Sequence, residues 1–158
     1  MKTTIRKTTE KTNAVAEGLK ALLADSYALL AQTHLAHWNV QGPAFFNLHT
    51  AFQTQYEELF TAIDEIAERL RALDVLAPGG LVTLAKLSKI EELSCDELPA
   101  KDYVSHLIEC HQAVVASAMV LRDAAGAAED LETQDMAIGR ISVHEKTLWM
   151  LNSYLKNL

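Results

Sequence analysis

Only three prolines occur in this chain of 158 residues, and all three fall in breaks between long stretches of helical periodicity. Proline removes a backbone donor and clashes with the preceding turn, so long proline-free runs are what helices require. Val15, Leu19, Leu22, Leu23, Leu29 and Leu30 keep a three-to-four residue rhythm that predicts a first helix from about Thr12 to Val40. Gly42-Pro43 stops it. Phe52, Tyr56, Leu59, Ile63, Ile66 and Leu70 form the inward stripe of a second helix from about Phe45 to Leu73, which Pro78-Gly79-Gly80 terminates. The stretch Leu81 to Leu98 is longer than an ordinary bundle loop, and Thr83 to Ile90 reads as a short helix inside it. Pro99 opens a third helix near its N1 position, Gly126 marks a break near its end at Ala125, and a fourth helix runs from about Asp130 nearly to the C-terminus.

Four long helices joined short, long, short predict an all-α protein with ferritin-like topology. It is an antiparallel four-helix bundle with a short extra helix in the long connection between the second and third helices. With 49% hydrophobic residues the chain suits one compact domain over residues 12–158, preceded by a flexible basic tail over residues 1–11. A net charge of −7 argues against a strongly basic nucleic-acid binder. Cys95 and Cys110 have no zinc or C-x-x-C spacing, so both read as free thiols in a reducing, cytoplasmic setting. The tail lacks the apolar core of a signal peptide, and the uncharged stretch before Glu57 is too polar for a membrane span.

That uncharged stretch carries the chemistry. Between Asp25 and Glu57 there is no Asp, Glu, Lys or Arg, yet three histidines, His34, His37 and His49, are present. On one helix with His49 at 0°, Gln53 falls near roughly 40°, Asp64 near roughly 60° and Glu68 near roughly 100°. All share one face. Yet at about 1.5 Å rise per residue, His49 and Asp64 lie on the order of 22 Å apart. No single ion spans that gap, because metal–ligand bonds to imidazole and carboxylate are about 2.0–2.2 Å. If the face works as a unit, a two-fold axis must bring the histidine end of one chain to the carboxylate end of another. The plainer readings stay open: hydrogen-bonded histidines, and Asp64 with Glu68 as a solvated edge. No histidine has a Glu three residues before it, so a di-metal site of the Glu-x-x-His kind inside one subunit is not expected.

The run His37-Trp38-Asn39-Val40, Gly42-Pro43, Phe45-Phe46, Leu48-His49, then Tyr56 and Asp64-Glu65-Ile66-Ala67-Glu68-Arg69, resembles the Dps family of miniature ferritins. The C-terminal His144-Glu145-Lys146-Thr147-Leu148-Trp149-Met150-Leu151 resembles the family's last helix. The resemblance implies a homo-oligomeric shell of twelve subunits that oxidises Fe(II), preferably with hydrogen peroxide, and stores Fe(III) mineral, with no organic cofactor. It implies a ferroxidase site of His37 and His49 from one subunit with Asp64 and Glu68 from its mate. Trp38 would stand beside the site and intercept oxidising equivalents, with plain packing as its alternative role.

One position departs from the family pattern. Four residues after His49 the family commonly has an acidic ligand, and here stands Gln53, a neutral and weaker one. His34 would compensate as an extra ligand, or be a packed histidine. Around the three-fold axes the family lines pores with acidic residues; Asp135 matches such a position, Asp130, Glu132 and Glu129 are neighbours, and Leu131 replaces an often acidic residue. DNA binding, the family's other activity, would rest on Lys2, Arg6, Lys7 and Lys11 of the tail against Glu10, and would make the protein nucleoid-associated. The competing functions are a DNA-coating or structural shell whose metal site is weakened at Gln53, and an interfacial zinc site without redox chemistry.

Overall fold

The computed structural model of the protein describes residues 2–94 and 96–156, with side chains from residue 12 onward. Five helices follow one another: α1 (Lys2–Asn39), α2 (Phe45–Ala72), α3 (Leu81–Leu87), α4 (Ala100–Ala128) and α5 (Leu131–Leu155). Among the described residues there is no strand. α1 begins ten residues before the expected Thr12, because nothing before Gly18 breaks a helix. The tail expected to be flexible and basic over residues 1–11 lies, as to its side chains, outside the described residues, as does Cys95.

The long contacts settle the topology. Gly18 on α1 lies against Leu121 on α4, Asp25 accepts a hydrogen bond from Ser117 at 2.5 Å, and Gln32 meets His106 at 3.0 Å. Positions rising along α1 meet positions falling along α4, so these two helices are antiparallel. Between α2 and α5 the pairs are Glu58 with Arg140 and Arg69 with Asp130, which makes that pair antiparallel as well. α2 and α4 therefore run parallel, as a long crossover demands.

The crossover is tied to α1 by two buried polar side chains. Asp25 accepts from the Ser88 hydroxyl and the Lys89 backbone N–H, both at 2.8 Å, while the Gln32 carbonyl oxygen accepts from the Leu93 N–H at 2.9 Å. Their pairing satisfies backbone groups that an irregular segment cannot pair within itself. Leu84 of α3 is buried in the same core.

The first-helix stripe from Val15 to Leu30 is buried throughout, together with Phe52, Leu59, Ile66 and Leu70 of α2. Tyr56 and Ile63 are only partly buried. α4 is long and apolar enough to cross a membrane, and more than half of its most apolar window is buried in the bundle, which identifies a core helix.

Three further boundaries differ from expectation, the first being α3, which spans Leu81–Leu87 rather than Thr83 to Ile90. Pro99 is the N-cap of α4 rather than its N1 residue. Gly126 does not break the chain: α4 continues to Ala128, and a Cβ at Gly126 would stand 2.5 Å from the Gln134 Nε2. Close approach of α5 accounts for that glycine. The turn itself is made by Glu129 in the left-handed region at φ 61°, where its N–H reaches the Gly126 carbonyl at 3.1 Å and the Asp130 N–H the Ala125 carbonyl at 3.0 Å.

Candidate metal centre

The short turn after α1 folds α2 back so that the last turn of one helix faces the first turn of the next. His37 and His49 meet there. The His37 Nδ1 donates to the His49 carbonyl at 2.9 Å, and the His49 Nδ1 donates to the His37 carbonyl at 2.9 Å. A carbonyl oxygen only accepts, so each Nδ1 carries the hydrogen. Each Nε2 is thereby left as the nitrogen with a free lone pair. The rings stack with centroids 3.7 Å apart and an 18° interplanar angle. Backbone carbonyls holding the second ring nitrogen are the usual support of metal-ligating histidines.

Around the pair lies an aromatic wall. Tyr56 stands edge-on to His37 with centroids 5.1 Å apart and tilted against His34 at 4.4 Å; Trp38 stacks on His34 at 5.1 Å; Phe45 stacks on His49 at 5.0 Å. Burial lowers the His34 pKa, and the neighbouring His37 lowers it further. Trp38 itself is 68% exposed. Periodicity alone assigned Tyr56 to the core stripe and missed its place beside the histidines.

Asp64 and Glu68 project from α2 into solvent, on the exposed face that also carries Gln53, Glu57 and Phe60. Phe60 is 73% exposed, a large apolar side chain set between the histidine and carboxylate ends. Among the described residues of one chain, no three His, Cys, Asp or Glu side chains gather closely enough to hold an ion. The structure thus brings His37 and His49 together, keeps His34 one ring away, and leaves Asp64 and Glu68 farther along α2. Gln53 is committed through its Nε2 to the Glu57 carboxylate at 2.7 Å. Glu57 escaped the sequence reading, although four residues beyond Gln53 the same wheel places it near roughly 80°.

Of the acidic residues near the start of α5, Asp130 has a structural task. Its carboxylate caps the helix, accepting from the Thr133 N–H at 3.1 Å and hydroxyl at 2.6 Å, and pairs with the Arg69 Nη2 at 2.7 Å. Burial pushes its pKa up, but the Thr133 hydrogen bonds and the Arg69 charge outweigh this and hold it below the usual value. Glu129, Glu132 and Asp135 are exposed.

A second polar cluster, not anticipated from the sequence, lies between α2, α4 and α5. Arg140 forms a bidentate pair with Glu58 and donates through Nη2 to the His144 Nε2 at 2.9 Å. His144 Nε2 must accept, so His144 Nδ1 donates to His111 Nδ1 at 2.8 Å, leaving the His111 Nε2 hydrogen for Gln55 at 3.4 Å. Both histidine tautomers follow from these partners, while the buried Arg140 Nε has none among the described residues. Burial, then the Arg140 charge, pushes His111 down to about 4; burial, then His111 and Arg140, lowers His144 as well.

An antiparallel four-helix bundle whose long crossover joins the parallel α2 and α4 defines a ferritin-like protein, and the ferritin-like domain model matches residues 16–158. Within that class the chain is 35% identical over 146 residues to the DNA protection during starvation protein of Brevibacillus brevis, covering 90% of this chain and 95% of that one. It is 34% identical over 150 residues to a low temperature-induced protein of Nostoc sp., covering 94% of this chain and 84% of the relative. The crystal structure of the Dps protein from Vibrio cholerae superposes with a TM-score of 0.88 at 30% identity, over 94% of this chain and 92% of that one. The chain belongs to the Dps family of ferritin-like proteins.

Proposed function

We propose that the protein is a ferroxidase that binds Fe(II) between two copies of the chain, oxidises it preferably with hydrogen peroxide, and stores the Fe(III) product inside a shell of twelve. The observation that carries this reading is the reciprocal Nδ1 hydrogen bonding of His37 and His49, which leaves two Nε2 lone pairs side by side. A ligand set of imidazole nitrogen and carboxylate oxygen suits iron in both oxidation states. The Vibrio cholerae relative is described as a member of the ferritin-like diiron-carboxylate proteins, which agrees with iron as the substrate.

His37 and His49 of one subunit face Asp64 and Glu68 of its two-fold mate, and the exposed Phe60 packs near the axis. Two Fe(II) ions give up one electron each; hydrogen peroxide takes both with two protons and leaves as water. Trp38, in ring contact with His34, takes up stray oxidising equivalents. Glu132 and Asp135 line the entry for cations, because rings of carboxylate favour them. Asp130 contributes to the pore chiefly by holding the start of α5. The protein works in the cytoplasm.

Mixing Fe(II) with hydrogen peroxide and the purified protein is expected to give oxidation faster than the protein-free control and a soluble, mineral-loaded particle whose protein shell has twelve times the chain mass. Equal rates with and without protein, or undiminished rates in both His37→Ala and Asp64→Ala, overturn the reading.

DNA protection is a second activity, supported by the name of the Brevibacillus brevis relative and by the net positive charge of residues 1–11. Retardation of DNA at low salt is expected, and its loss on deleting residues 1–11 checks the assignment to the tail.

A further inference from the structure

The neutral Gln53 stands one helical turn after His49, where a ligand to the shared site is due. Its amide makes one exposed hydrogen bond, to Glu57 one turn further on. A carboxylate only accepts hydrogen bonds, so the group within 2.7 Å of the Glu57 Oε1 is the Gln53 NH2, and the Gln53 Oε1 is the atom left over. Glu57 is itself held at the edge of a hollow of about 210 Å3 walled by Leu30, His34, Tyr56 and Phe60. Glu57 itself is exposed, and it shares that hollow with His34 and Tyr56, the rings that neighbour His37. Without an acid at residue 53, the set His37, His49, Asp64 and Glu68 has two carboxylates; Glu57 brings a third negative charge, coupled to the site by a charge-assisted hydrogen bond.

We infer that Glu57 is a positioning residue of the shared metal site: by binding the Gln53 amide hydrogen it presents the Gln53 carbonyl oxygen as the ligand and polarises it with the missing negative charge. The inference rests on the ferroxidase reading above and explains how a glutamine serves there. Groups hydrogen-bonded to metal ligands commonly govern affinity about 10–100-fold. Because polarisation passes through the amide, Glu57 matters only while residue 53 is a glutamine.

The experiment is an anaerobic Co(II) titration of the full-length protein, read by the visible absorption of histidine-bound Co(II), with the assembly state checked by sedimentation. Glu57→Gln keeps the shape of the side chain and is expected to weaken Co(II) binding at least about tenfold. In a Gln53→Asp background the same substitution is expected to change affinity less than about twofold, since the acid then binds directly. No loss in Glu57→Gln, or equal loss in both backgrounds, overturns the inference. Wild-type protein that develops no Co(II) bands overturns the shared site itself, and the inference with it. Bands in wild type with unchanged affinity in Glu57→Gln remove the inference alone.

Discussion

His37 and His49 each donate Nδ1 to the other's backbone carbonyl at 2.9 Å, so one pair of side chains both joins α1 to α2 and fixes its own tautomers. Structure and chemistry are coupled at this turn.

Replacing His49 by Ala removes one of the proposed ligands and strands the His37 carbonyl. A net loss of about 1 kcal/mol of stability is expected from the missing hydrogen bond, measured by chemical denaturation. Fe(II) oxidation is expected to fall to the protein-free rate. An active His49→Ala variant removes the histidine pair from the mechanism.

Asp130 and Asp135 are expected to separate stability from iron entry. Asp130→Ala loses the helix cap and the Arg69 pair, lowering stability by about 1–2 kcal/mol with little effect on the rate at saturating iron. Asp135→Asn is expected to slow mineral loading at low iron while leaving the denaturation midpoint unchanged. Because the Asp130 pKa lies below its unfolded value, its stabilisation is complete above about pH 4 and disappears as the pH falls through the folded pKa. Asp130→Asn is expected to flatten that acid limb.

The buried histidine relay predicts a second, higher window. An unfolded histidine takes up a proton below about pH 6.5, whereas His111 resists protonation down to about 4. The unfolded state binds more protons in between, so stability falls as the pH drops from about 6.5 to about 4. The double variant His111→Leu, His144→Leu is expected to flatten this slope, read as unfolding midpoints across that range, while His34 and His106, also lowered by burial, keep a remainder. An unchanged slope means the relay does not titrate on unfolding.

Gly18 sits where α1 crosses α4. A Cβ there would lie 3.0 Å from the Leu121 Cδ1 and 3.3 Å from its Cα. Overpacking costs about 1–3 kcal/mol, and the better helix propensity of alanine offsets about 1 kcal/mol. Gly18→Ala is therefore expected to lower the thermal midpoint; a raised midpoint would show that the crossing relaxes freely.

Much of the bundle was legible in local pattern. The Val15–Leu30 stripe, the start of α2 at Phe45 and the partition of residues by Gly42-Pro43 all follow from periodicity and backbone sterics, which act over a turn or two. Gly126 misled for the complementary reason: glycine marks either a turn or a close approach, and only the position of Gln134 on α5 distinguishes them. Tyr56 followed the core spacing of its helix, but its ring was claimed by His34 and His37 of α1.

The Glu58–Arg140–His144–His111 relay had no local signature, since its members come from three helices and lie up to 86 positions apart. Residue spacing alone established four long helices and the fact that His49 and Asp64 cannot serve one ion within one chain. Tertiary folding decided which ring nitrogens are free, which acid caps α5 and which carboxylate holds Gln53. Spacing is a property of the backbone helix, whereas proton placement and side-chain partners depend on groups brought together from distant parts of the chain.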